Sequence, residues 1–248
     1  MNNTMNKTKI LMLIAVFSAL YFVLRMIPTF PMIGVSGGSF ALADVLASLY
    51  GLILGPFIGC LSIIIGTFLA IAAGKPIIFM GFDFLPALIN ALIVGLIIKK
   101  RTALPIGLNA LLFALFLLHP YTAITVSIKF FNFKTQFFFP WLHLIAFIIL
   151  IFQFKLKVAD WLNKSLKAKV AAVSILTLIG TMAQHLTGGL LWETIYGSFM
   201  NKAPEVFKSV LWPAVFWVYP FERIFIVIIA TIIGVPLLRV KKELINNV

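Results

Sequence analysis

The sequence predicts an all-α integral membrane protein, a compact bundle of six to eight transmembrane helices with both termini in the cytoplasm. Three observations predict it. Of its 248 residues 62% are hydrophobic and 11% charged, whereas soluble domains carry about 25% charged residues. Too little polar surface exists to coat a globule in water. The hydrophobic runs recur along the whole length, which excludes a soluble domain on one anchor. Finally, the charges cluster between those runs, as in Lys99-Lys100-Arg101 and the series Lys155, Lys157, Lys164, Lys167 and Lys169. The net charge of +13 therefore carries topology and contact with anionic lipid rather than a phosphate-tracking groove, and nucleic acid is not an expected partner. The expected place is the cell (plasma) membrane, crossed several times.

Eight apolar stretches can be drawn, at 10–27, 41–54, 57–73, 84–98, 103–118, 137–154, 170–191 and 210–238. Several fall short of the ~20 residues that a span usually needs. The first follows Lys7 and Lys9 and mimics a signal peptide. No clear cleavage site follows it, Ala41-Leu42-Ala43 being only a weak candidate, so we read it as an uncleaved first span. Gly55-Pro56 separates the second and third stretches, and we read a tight hairpin there, because proline suits a first helical turn but cannot continue a helix.

If all eight cross from an inside N-terminus, thirteen cations fall inside: Lys7, Lys9, Lys99, Lys100, Arg101, Lys155, Lys157, Lys164, Lys167, Lys169, Arg239, Lys241 and Lys242. Six fall outside or at outer helix ends: Arg25, Lys75, Lys129, Lys134, Lys202 and Lys208. This asymmetry favours N-in, C-in and an even number of crossings. Residues 1–248 read as a single transmembrane domain, in which 103–154 is the ambiguous part, readable as an inserted helical hairpin on a six-helix core.

Small residues recur at four-residue spacing on Ala15 and Ala19 (with Ser18 on the adjoining face), on Ser62, Gly66, Ala70 and Gly74, and on Ala87, Ala91 and Gly95. Such stripes let membrane helices approach closely, and the plainer reading of the later two is packing alone. The lone cysteine, Cys60, can build neither a disulfide framework nor a thiolate metal site.

Polar groups inside a membrane are costly and default to function. Asp83 and Asn90, seven apart, share a face of the fourth helix. Gln184, His185, Gly188, Trp192 and Glu193 gather at the outer end of the seventh stretch, and the last stretch supplies Trp212, Trp217, Tyr219, Glu222 and Arg223. Stacking on Trp or Tyr, with amides and carboxylates fixing a polar edge, suits a small planar solute. The expected substrate-binding set is Asp83, Asn90, Gln184, His185, Trp192, Glu193, Trp217, Tyr219 and Glu222. Plainer readings stand beside it: the aromatics form an interfacial belt, Asp44 and Asp83 cap helices, and Arg25 snorkels to the outer surface. Glu222 and Arg223 are adjacent, about 100° apart on a helix, so each is expected to need its own partner, Arg223 in a structural ion pair.

The segments LIAVFSALYFVLR, FALADVLASLYGLILGPFIGCLSIIIGTFLA and GFDFLPALINALIVGLIIKKR, with the closing WPAVFWVYPFERIFIVIIATIIGVPLLRV, resemble the substrate-binding S-components of energy-coupling factor (ECF) transporters. The resemblance covers about 10–101 and 170–242. It implies that Ala15, Ser18 and Ala19 dock a membrane coupling subunit, that cytoplasmic ATPases supply energy, and that a vitamin or related micronutrient binds from the outer side. Riboflavin, thiamine, biotin, a cobalamin precursor or a modified base remain open as the solute. The departure is in span number, since S-components usually have six.

Two rival readings are weaker. An intramembrane enzyme would need chemistry that His119, His143 and His185 do not supply at metal-ligand spacing, and neither a nucleophile elbow nor a phosphate loop is present. A stand-alone secondary transporter would show related halves, and none is visible. We expect neither enzymatic activity nor a cofactor.

Overall fold

The computed structural model describes residues 6–130 and 133–246. For 129–130, 133–134 and 241–246 it describes the backbone only, so Lys129, Lys134, Lys241 and Lys242 of the charge balance lie outside the described side chains. The elements in order are α1 (Lys7–Met26), β1 (Pro28–Pro31), β2 (Ser39–Ala41), α2 (Leu42–Val45), α3 (Ala47–Ala72), α4 (Leu85–Ile98), α5 (Ala103–Leu118), β3 (Thr125–Phe130), β4 (Phe133–Phe138), α6 (Trp141–Leu156), α7 (Val158–Trp161), α8 (Leu166–Trp192), α9 (Pro204–Val206) and α10 (Trp212–Asn246). A π-helical segment, Glu193–Phe199, continues α8, and a second, Phe207–Leu211, leads into α10.

Four helical segments are long and apolar enough to cross a membrane: Lys7–Met26, Ala47–Ala72, Leu166–Phe199 and Pro204–Val240. Leu85–Ile98, Ala103–Leu118 and Trp141–Leu156 are apolar but shorter. The chain is a multi-pass helical membrane protein.

Length misleads for α3, because it is not one rod. Gly55 has φ 79 and ψ −179, a conformation that glycine adopts without steric cost. The helix folds back there: a Cβ on Gly59 would lie 2.7 Å from the Tyr50 carbonyl oxygen, whereas nine residues of straight helix would separate them by about 13 Å. The close approach explains why this position carries no side chain. The hairpin expected at Gly55-Pro56 is present.

The contacts define two ends of the bundle. At one end Arg25, Asp44, Lys75 and Asp83 converge. At the other the Gly55 turn sits beside Lys99 and Gly95 packs on Pro56; Lys100 pairs at 2.9 Å with Asp160 on α7, between α6 and α8. Successive rods therefore alternate in direction, and α1 begins, and α10 ends, at the end opposite Arg25. α5 and α6 pack on α8 and are knit to α10 by rings, Phe116 and Phe139 lying 5.3 and 4.7 Å from Trp212. The two described helices of the 103–154 region thus pack against α8.

The small-residue stripes behave as packing surfaces. Ser62, Ala70, Ala87 and Ala91 are fully buried, and Gly66 meets the Ser18 carbonyl of α1. Gly74 departs from its stripe and makes a turn at φ 95. Two β-hairpins were not anticipated: β1–β2, and β3–β4 in continuous register from Thr125↔Phe138 to Phe130↔Phe133. The stretch read as starting at 137 yields its first residues to β4.

Candidate solute-binding site

At the Arg25 end a pocket opens between α1, the β1–β2 hairpin, the loop before α4, α8 and α10, with about 990 Å³ of space including its open mouth. The hairpin contributes Met32, Val35 and Phe40; the 75–83 loop adds Lys75, Phe79 and Asp83; α8 adds Gln184, His185, Gly188 and Trp192; α10 adds Trp212, Tyr219, Glu222 and Arg223.

Its charges are largely paired. Arg25 Nη1 donates to Asp44 Oδ1 at 3.1 Å, and Nη2 to the Asp83 carbonyl at 3.2 Å. Arg25 is 7% exposed, so it does not snorkel; two carboxylates bury it instead. Asp44 also turns back to accept from the Ala41 amide at 2.9 Å, a first-turn cap of its own helix. Asp83 does not cap α4 as expected; its oxygens accept from the Ile78 and Phe79 amides at 2.9 and 3.1 Å and fix the loop. Glu222 and Arg223 pair with each other at 3.3 Å, contrary to expectation, because long side chains bridge the angle between adjacent positions. Arg223 also donates to Thr181 Oγ1 at 3.1 Å. Lys75 donates to the Arg25 carbonyl and, among the described residues, faces no carboxylate within ion-pair distance. Burial, then the charge of Arg25, holds it below the usual lysine range.

Of the nine expected residues, Asp83, Gln184, His185, Trp192, Tyr219 and Glu222 line the pocket. Asn90 lies behind it, fully buried, accepting from Ser48 and donating to Gln184 Oε1, both at 2.7 Å. Gln184 Nε2 donates onward to the Asp44 carbonyl at 3.3 Å, so Asn90 sets the amide that lines the pocket. Glu193 faces away towards α5: Trp212 Nε1 and Thr122 Oγ1 lie 2.8 Å from its Oε1, and His119 Nδ1 lies 3.1 Å from its Oε2. It ties three helix ends together. Trp217 stands outside, 57% exposed, in a shallow groove with Phe30, Phe221 and Phe225. The belt reading suits Trp217 alone, since Trp192, Trp212 and Tyr219 are buried.

Sequence reasoning passed over Lys75, Phe40 and Phe79 as lining residues. Lys75 looks like any loop lysine, and nothing in its neighbourhood signals that α3 delivers it beside Arg25. On α1, Ala15 and Ala19 are exposed together with Leu11, Met12 and Val16. Ser18, 2% exposed, turns inward to α3.

Fold and pocket together define a multi-pass membrane protein built to hold a small solute at one end of a helical bundle. The chain belongs to the ECF-type riboflavin transporter S-component family, whose model matches residues 5–137, more than half of it. It is therefore a substrate-binding subunit of an ECF transporter and not an enzyme, and it belongs to a family that works with ATPase and transmembrane coupling subunits. The match contains Arg25, Asp44, Lys75 and Asp83 but stops before the α8 and α10 walls of the pocket. No curated protein and no solved structure matches the chain.

Proposed function

We propose that this subunit captures riboflavin, the solute in the family's description, from the outer side of the plasma membrane for ATP-driven uptake. The observation that carries this reading is the pocket's composition. Aromatic walls from Trp192, Trp212, Tyr219 and Phe40 stand beside charges that balance, three cations against three carboxylates. Such a site favours a flat, uncharged solute with polar edges over an ion. Asp83, Gln184, His185, Trp192, Tyr219 and Glu222 contact it, and Asn90 positions Gln184. Glu193 and Trp217 act at a distance, as a tie and as an interfacial anchor.

In this reading the eight rods are eight crossings, the bundle is one domain including 103–154, and both termini are cytoplasmic. The charge asymmetry and the shared end of the α1 start and the α10 finish support it. The pocket then faces outward. The exposed Ala15 and Ala19 face, about the middle of α1, docks the coupling subunit while the ATPases work below.

The test uses Ala15→Trp/Ala19→Trp in cells carrying the partner subunits. Uptake of labelled riboflavin should fall to background while purified variant protein binds riboflavin as tightly as wild type. Undiminished uptake would overturn the docking assignment.

A further inference from the structure

Behind the pocket lies one buried histidine that the solute site itself does not use. His143, on α6, is 2% exposed, and its Nε2 lies 2.8 Å from Nδ1 of His185 on α8. The ring centroids are 5.0 Å apart, as expected for two imidazoles joined edge to edge. Tyr219 lies across both, 5.6 Å from His143 and 5.1 Å from His185, with interplanar angles of 22° and 19°. Its hydroxyl donates to the Phe139 carbonyl at 3.0 Å and so holds the ring in place. Phe116 stacks on His143 at 5.8 Å. His185 reaches the pocket; His143 does not.

The hydrogen bond between the rings needs one donor and one acceptor. Nδ1 of His143 is buried and has no partner. If His185 were the donor, His143 would have to carry its proton on that orphaned Nδ1, and buried N–H groups without an acceptor are the rarest and costliest kind. The opposite assignment leaves only a bare lone pair there. His143 Nε2–H therefore donates, His185 Nδ1 accepts, and the single proton of His185 sits on Nε2. That is the ring nitrogen left for a solute.

We propose that His143 is a positioning residue that fixes His185 as a hydrogen-bond donor towards the pocket, so that the site selects a planar solute presenting a carbonyl oxygen or unprotonated ring nitrogen beside Tyr219. The inference deepens the riboflavin reading and rests on it for the identity of the solute. The isoalloxazine edge, with its carbonyls and bare ring nitrogens, offers such acceptors. The tautomer assignment itself is independent of the solute.

The experiment has two arms. Nitrogen NMR of solute-free, histidine-labelled protein, with signals assigned from His119→Asn and His143→Phe, should show both His143 and His185 protonated on Nε2 alone. A proton on His185 Nδ1 would overturn the proposal whatever the solute. In the second arm, riboflavin binding is titrated on purified protein. His185→Phe should weaken it about 10- to 100-fold, the range for one buried hydrogen bond left unmade. His143→Phe keeps the stacking but frees His185, and should weaken binding by about 5-fold or more. His143→Gln restores an N–H near the same place and should recover most of that loss. Equal affinity for all three variants and wild type would overturn the proposal. If wild type binds no riboflavin, the solute assignment falls, and the NMR arm still decides the tautomers.

Discussion

Arg25 carries a full charge at the last turn of an apolar helix, and the chain meets that charge from two distant places. Asp44 lies nineteen positions and Asp83 fifty-eight positions along the sequence. Nothing local announces the meeting, so position near a helix end suggested snorkelling. Removing one partner of a buried pair strands the other in a poor solvent, at a cost of about 3–5 kcal/mol. Arg25→Met should accordingly lower the unfolding midpoint of the purified protein markedly, while Lys75→Met, which strands no carboxylate, should lower it far less. Equal, small effects would show that the Arg25 pair is not the tie described. Where residues share one helix, the sequence was more legible. Gln184, His185, Gly188 and Trp192 follow helical spacing and reach the same pocket. The misplacements follow the same geometry: Glu193 is about 100° round from Trp192, and Trp217 about 200° round from Tyr219. Membership of a cluster in sequence does not establish which way each member faces.

At the level of elements, the Gly55-Pro56 hairpin was readable because only glycine fits the backbone there without strain and proline suits the helix start that follows. Its packing makes a prediction. Gly59→Val would force a side chain into the Tyr50 backbone, and should cost about 1–3 kcal/mol, read as a lowered unfolding midpoint. An unchanged midpoint would mean that the two halves of α3 do not lie together. The β3–β4 hairpin was missed because most of it falls between two apolar stretches and reads as loop, while its last residues, Phe137 and Phe138, look like a helix start over so short a run. The π-helical stretch after Trp192 was missed too, since no residue pattern announces a change of helical pitch. It turns Glu193 inward to Trp212, Thr122 and His119, and wider turns of this kind often sit beside functional sites.

Over the whole molecule, the two ends differ in chemistry. The pocket end gathers buried polar groups and rings, and the opposite end gathers lysines, the Gly55 turn and both ends of the described chain. That lysines gather at one end was legible from the clustering of charge between apolar stretches. The pocket's depth was not, since it depends on the β1–β2 hairpin folding over the helix ends, and a short run of Pro, Gly and Ser reads only as loop. In the proposed reading the coupling subunit docks on the exposed α1 face bearing Ala15 and Ala19, neither of which lines the pocket. Capture and energisation should therefore separate, as the tryptophan substitutions test.

The central claim is that this chain alone, without ATP or partners, holds riboflavin in the pocket at the Arg25 end. Fluorescence titration of riboflavin against the purified protein tests it most directly, with Trp192→Ala as the comparison. Saturable quenching at one solute per chain is expected, weakened at least tenfold in the variant, the loss of a stacking ring and its buried area being worth about 1.5 kcal/mol or more. Quenching that never saturates, or affinity unchanged in Trp192→Ala, would contradict it.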